Sequence, residues 1–152
     1  MILQGLNGTE FGLEIVDYEF PESEVSADNT DLDWLLIHII AKGEHLTWDV
    51  TEPCLEVVEA LFLLEWFEAL AEGRDEPFGG FQQADLMLNL VASSAEQVTI
   101  GVELWHYSVW RNRKRSIRSS LQYNVSRSRL KQAAQEWRTE IQKYPSRRTS
   151  PE

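Results

Sequence analysis

A chain of 152 residues, 43% hydrophobic and with six tryptophans, is long enough for one domain with a substantial core and too apolar for a disordered segment. A net charge of −11 disfavours nucleic acid or an anionic membrane as the main partner, and a single cysteine, Cys54, excludes an internal disulfide. The charge is also split along the chain. Residues 1–105 carry 22 acids against two bases, leaving −20, and residues 106–152 carry twelve bases against three acids, leaving +9.

Met1–Gln4 reads as a short strand ending near the turn Asn7-Gly8. Phe11–Phe20 reads as a second strand. Phe11, Leu13 and Ile15 alternate, then Val16, Tyr18 and Phe20 alternate on the opposite phase, so a β-bulge is expected at Ile15–Val16. Pro21–Asp33 is a polar, acidic loop without periodicity. Trp34–Ala41 is apolar on both phases and is expected to be a central strand covered on both faces. Gly43-Glu44 turns into a strand over His45–Val50.

Thr51-Glu52-Pro53 has the composition of a helix start, and Gly73 that of a stop. Within that helix Glu52, Glu56 and Glu59 share one face, while Glu65, Glu68 and Glu72 fall on roughly the opposite one. Ala60–Leu64 between them is apolar all round. Either the helix breaks there or different faces are buried at its two ends, and a straight helix would expose Leu63 or Leu64.

Three further strands are expected over Phe81–Ala92, Gln97–His106 and Ile117–Val125. A last helix begins near Ser126, with Leu130, Ala133, Ala134, Trp137, Ile141 and Tyr144 as its apolar stripe, and Pro145 ends it. The expected architecture is α+β: a mostly antiparallel sheet of about six strands with two principal helices. Residues 1–145 form one domain and 146–152 a disordered tail.

Site chemistry is sparse. His38, His45 and His106 have no metal-ligand spacing, and His38 reads as a hydrogen-bonded core residue. Cys54, in a helix's first turn between Glu52 and Glu56, reads as a small packing residue. No glycine pair sits in a phosphate-loop frame. No catalytic residue, metal site or cofactor is therefore assigned. Two charged segments remain. The acidic loop offers Glu22, Glu24, Asp28, Asp31 and Asp33 as a docking surface for a basic partner. The segment Arg111–Arg118, preceded by Trp110, offers Trp110, Arg111, Arg113, Lys114 and Arg115 as an alternative nucleic-acid contact. The blander reading of the latter is a solvated loop, or one that neutralises the acidic body within the chain or in a homodimer. No membrane segment is evident, and a cytoplasmic location is expected.

Several pieces taken together resemble the WapI-type bacterial immunity proteins and their uncharacterised relatives. They are LEIVDYEFP (Leu13–Pro21), DWLLIHI (Asp33–Ile39), WDVTEPCL (Trp48–Leu55), LLEWFEAL (Leu63–Leu70) and the closing KYPSR (Lys143–Arg147). The resemblance implies a stoichiometric inhibitor that protects the cell from a sibling toxin, without catalysis. With the acidic charge, the expected partner is a basic toxin domain such as a nuclease.

Overall fold

The computed structural model describes residues 1–5, 8–21, 32–45, 47–82, 86–110 and 113–148; residues 106–110 and 113–117 are described in backbone only. The strands are β1 (Ile2–Gln4), β2 (Glu10–Tyr18), β3 (Trp34–Lys42), β4 (Thr47–Glu56), β5 (Leu86–Ser93), β6 (Gln97–Trp110) and β7 (Arg113–Ser126). The helices are α1 (Val57–Ala71) and α2 (Arg127–Ile141). The class is α+β, as expected, with seven antiparallel strands among the described residues. They form two sheets, ordered β1-β2-β3-β4 and β5-β6-β7.

The first sheet follows its apolar spacing. Phe11, Leu13 and Ile15 of β2 are buried, and the register slips between Ile15 and Asp17, where the sequence changes phase. Strand β3 is interior to its sheet, yet only one face is fully covered. Leu35, Ile37, Ile39 and Ala41 are buried, while Leu36, His38 and Ile40 are half-buried. An apolar residue on the second phase does not guarantee a covering layer.

The expected helix start at Thr51 is instead strand. Strand β4 continues through Pro53 to Glu56 and pairs Leu36 with Pro53 and Leu35 with Leu55. It lies at the sheet edge, and a register shift sits opposite Leu35 and Leu36. An edge and a bulge are the two settings in which a strand accepts proline. Helix α1 begins after Glu56, whose backbone N–H donates to the Glu59 carboxylate at 2.9 Å. It ends as the sequence indicates. Gly73 takes φ +84°, its N–H bonds Leu70 O, and Arg74 N–H bonds Ala69 O, a six-to-one and five-to-two pair that closes the last carbonyls.

Helix α2 begins where Ser126 Oγ accepts from Arg129 N–H at 3.2 Å. Its stripe of Leu130, Ala133, Ala134, Trp137 and Ile141 is buried against α1 and the sheets. The Trp137 indole donates to the Ala60 carbonyl of α1 at 3.0 Å. One continuous core joins both sheets and both helices, with Phe11 of β2 and Tyr123 of β7 in ring contact at 5.8 Å.

Residues Arg113–Arg118 of the expected basic loop are strand. Strands β6 and β7 pair as far as Trp110 with Arg113, so Arg113–Arg118 belong to β7 near the end of a long hairpin. Part of the expected tail is also ordered on the body. Ser146, Arg147 and Arg148 all bond to it, as the site geometry shows, and 149–152 lie outside the described residues.

Candidate interaction surfaces

Of the proposed docking acids, Asp33 alone lies among the described residues, and it faces inward. It is 5% exposed just before β3. Its carboxylate accepts from Ser146 Oγ at 2.6 Å and from Arg147 N–H at 2.7 Å, and Arg148 approaches to 3.7 Å. Arg147 then reaches across the same junction. Its guanidinium donates to Leu32 O at 2.6 Å and Phe20 O at 2.8 Å, and stacks 3.7 Å over the Tyr18 ring. Asp33 therefore anchors the C-terminal segment rather than presenting charge to a partner. Glu22, Glu24, Asp28 and Asp31 lie outside the described residues.

Of the alternative set, Trp110 and Arg113–Arg115 are placed in β6 and β7 by backbone pairing, and Arg111 lies outside the described residues. Arg118, the next base along β7, is neutralised. It bonds Glu103 on the paired strand and sits 5.5 Å from the Trp105 ring.

That pairing repeats across the molecule. Arg138 of α2 bonds Glu68 of α1. Arg127 bonds the Leu70 carbonyl and reaches Asp75 at 3.0 Å. Hydrogen bonds from Ser93 and then Arg127 hold the Asp75 carboxyl below its usual range. Arg148 bonds Glu56 at 2.9 Å. The basic end thus folds back onto the acidic body and neutralises it locally. Among the described side chains, Arg127, Arg129 and Arg138 of α2, Arg148 after it and Arg118 of β7 each take a carboxylate.

The titratable candidates stay structural. His38 is not in the core: its side chain is 25% exposed, with Nε2 2.7 Å from Asp49 and Nδ1 3.5 Å from Glu14. The hydrogen bond to Asp49, with help from Glu14, raises its pKa above the usual value. His45 is exposed, and the His106 side chain lies outside the described ones. Cys54 is buried, as expected, but it lies on β4 and not in a helix's first turn. Among the described residues no group of His, Cys, Asp and Glu could hold a metal ion, and no helix is long and apolar enough to cross a membrane.

The surface that the spacing did not single out is on α1. The helix runs unbroken and buries several sides, with Leu63 and Leu64 inside. The exposed residues are Val58 (41%), Leu61 (41%) and Phe62 (52%), followed by Glu65 one turn on. This i, i+3, i+4, i+7 stripe was present in the sequence. It was hidden because Ala60–Leu64 is apolar in every direction, so no pattern distinguishes the outer pair Leu61–Phe62 from the inner pair Leu63–Leu64. Beside Phe62 opens a cleft of about 570 Å³. Trp66 and Phe78, in ring contact at 5.0 Å, form its apolar wall, and the Trp66 indole donates to Glu76 O at 2.8 Å. Among the described residues, Glu65, Glu68, Glu72 and Glu76 line it together with one base, Arg74.

No curated protein and no solved structure matches the chain at a significant level. Residues 1–145 match the model of the family described as the immunity protein WapI-like family. With nearly the whole chain covered, in the order of elements described above, the protein belongs to the WapI-like immunity protein family.

Proposed function

We propose that this protein neutralises a basic toxin domain by stoichiometric binding in the cytoplasm, without catalysis, and that the toxin is a nuclease whose cationic substrate groove is covered by an acidic surface. The observation that carries this reading is family membership across residues 1–145. Charge supports it: at −11 the chain has a field suited to a cationic partner and opposed to a phosphate backbone. The internal pairing of Arg118, Arg127, Arg138 and Arg148 with carboxylates adds to that support, because it removes cations that nucleic acid would need.

Glu22, Glu24, Asp28 and Asp31 are proposed to steer the encounter, since charges at an interface rim act mainly on association rate. Asp33 has no part in that steering. The test is co-expression with the protein encoded next to this gene, scored for rescue of growth. Restored growth with a one-to-one complex supports the proposal. Measurable RNA affinity at physiological salt, lost on neutralising Arg111, Arg113, Lys114 and Arg115, without protection from any neighbouring toxin, overturns it.

A further inference from the structure

We infer that the outer face of α1 and the cleft beside it form the contact surface for the toxin, with Leu61 and Phe62 as its apolar centre and the cleft as the seat of a basic side chain from the partner. The inference rests on the immunity reading and adds the place where binding occurs.

Three observations combine. Val58, Leu61 and Phe62 expose large apolar side chains side by side on one helix face; single exposed apolar residues are ordinary, and it is their adjacency that marks a contact surface. The cleft next to Phe62 has an aromatic wall of Trp66 and Phe78 and a rim of four carboxylates against Arg74. An arginine or lysine entering it meets aromatic side chains and carboxylates together, apolar contact for its stem and negative charge for its head. The rim is also only partly neutralised from within. Arg138 takes Glu68, and Arg74 spans Glu72 and Glu76 at 3.0 and 3.6 Å, while Glu65 stays exposed.

Charge decides the occupant. A second copy docking the same face would set this acidic rim against itself, on a chain already at −11. A cationic protein surface meets no such penalty. An apolar centre within a charged rim is the anatomy of a specific protein contact, in which a few central side chains carry most of the energy and the rim sets rate and partner choice.

The test uses the full chain and, as probe, the immobilised C-terminal domain of the protein encoded next to this gene, read by surface plasmon resonance. The variants are Leu61→Ser with Phe62→Ser, and Glu65→Lys with Glu72→Lys and Glu76→Lys. Val91→Ser, on the exposed face of β5, is the control. All these side chains are exposed, so melting temperatures should stay near wild type. Should a combined variant fail to fold, Glu65→Lys alone replaces it. The apolar pair should weaken binding about 30-fold, mostly through faster dissociation. The charge reversal should slow association about tenfold and flatten its salt dependence. The control should bind as wild type.

Binding of both variants within twofold of wild type, while the wild type binds and protects, would overturn the α1 surface and leave immunity standing. A wild type that neither binds nor protects would sink both. A dimer in light scattering that Phe62→Ser dissolves, with toxin binding unchanged, would assign the face to self-association and overturn the proposal.

Discussion

Asp33 and Arg147, 114 residues apart, are joined by a 2.7 Å hydrogen bond from the Arg147 backbone N–H to the Asp33 carboxylate. The bond closes the chain end onto the entry to β3, and Ser146 adds a second donor at 2.6 Å. A buried carboxylate with dedicated donors is a structural element, because removing it leaves the Ser146 hydroxyl and the Arg147 N–H without their acceptor. Asp33→Ala should therefore destabilise the fold by about 2–4 kcal/mol. Urea unfolding followed by tryptophan fluorescence measures this. A loss below about 0.5 kcal/mol, the range of ordinary surface changes, would contradict the anchoring role.

Trp137 is the matching anchor of the helix pair. Its side chain is fully buried and its indole bonds Ala60 O at 3.0 Å. Trp137→Ala should cost about 3–5 kcal/mol, the range for deleting a buried aromatic. Trp137→Phe should cost less, since most of the ring volume stays. Equal losses for the two variants in a denaturant titration would show that the volume does not matter and would contradict the packing account.

His38 sits between Asp49 and Glu14, and its pKa is raised by the hydrogen bond to Asp49 first. A raised folded-state value means that the protonated form favours folding. The stabilisation is present in full below about 6.5, the ordinary histidine value, and is lost as pH rises through the higher folded value. The melting temperature of the wild type should fall across that window relative to His38→Gln. Parallel pH profiles for the two proteins would contradict the linkage.

Much of the fold was legible in the sequence because its signals were local. The bulge after Ile15, the stop at Gly73, the cap at Ser126 and the stripe ending at Ile141 each depend on a few neighbouring residues. Errors arose where tertiary context decided. Pro53 reads as a helix start in isolation, but an edge position and a bulge let it stay in β4. Asp33 reads as one more acid in an acidic loop, and only the return of Ser146–Arg148 makes it a buried acceptor. The outer face of α1 was illegible for a related reason. Leu61 and Phe62 are no less apolar than Leu63 and Leu64, and only the packing of α2 and the sheets determines which pair is covered.

The acids Glu22, Glu24, Asp28 and Asp31 are proposed to act in steering alone. Replacing the four by their amides should lower the association rate with the toxin domain several-fold and leave dissociation nearly unchanged, with the difference vanishing at high salt. Stopped-flow association at two ionic strengths measures it. A change confined to the dissociation rate would place these residues in the contact itself.

The most direct test of immunity is growth of cells expressing the protein encoded next to this gene, with and without this protein, paired with calorimetry on the purified pair. The account predicts that growth is restored and that calorimetry gives one toxin per chain, with affinity weakening as salt rises. Persistent growth arrest with the folded protein present, and no heat of binding at low salt, would contradict it.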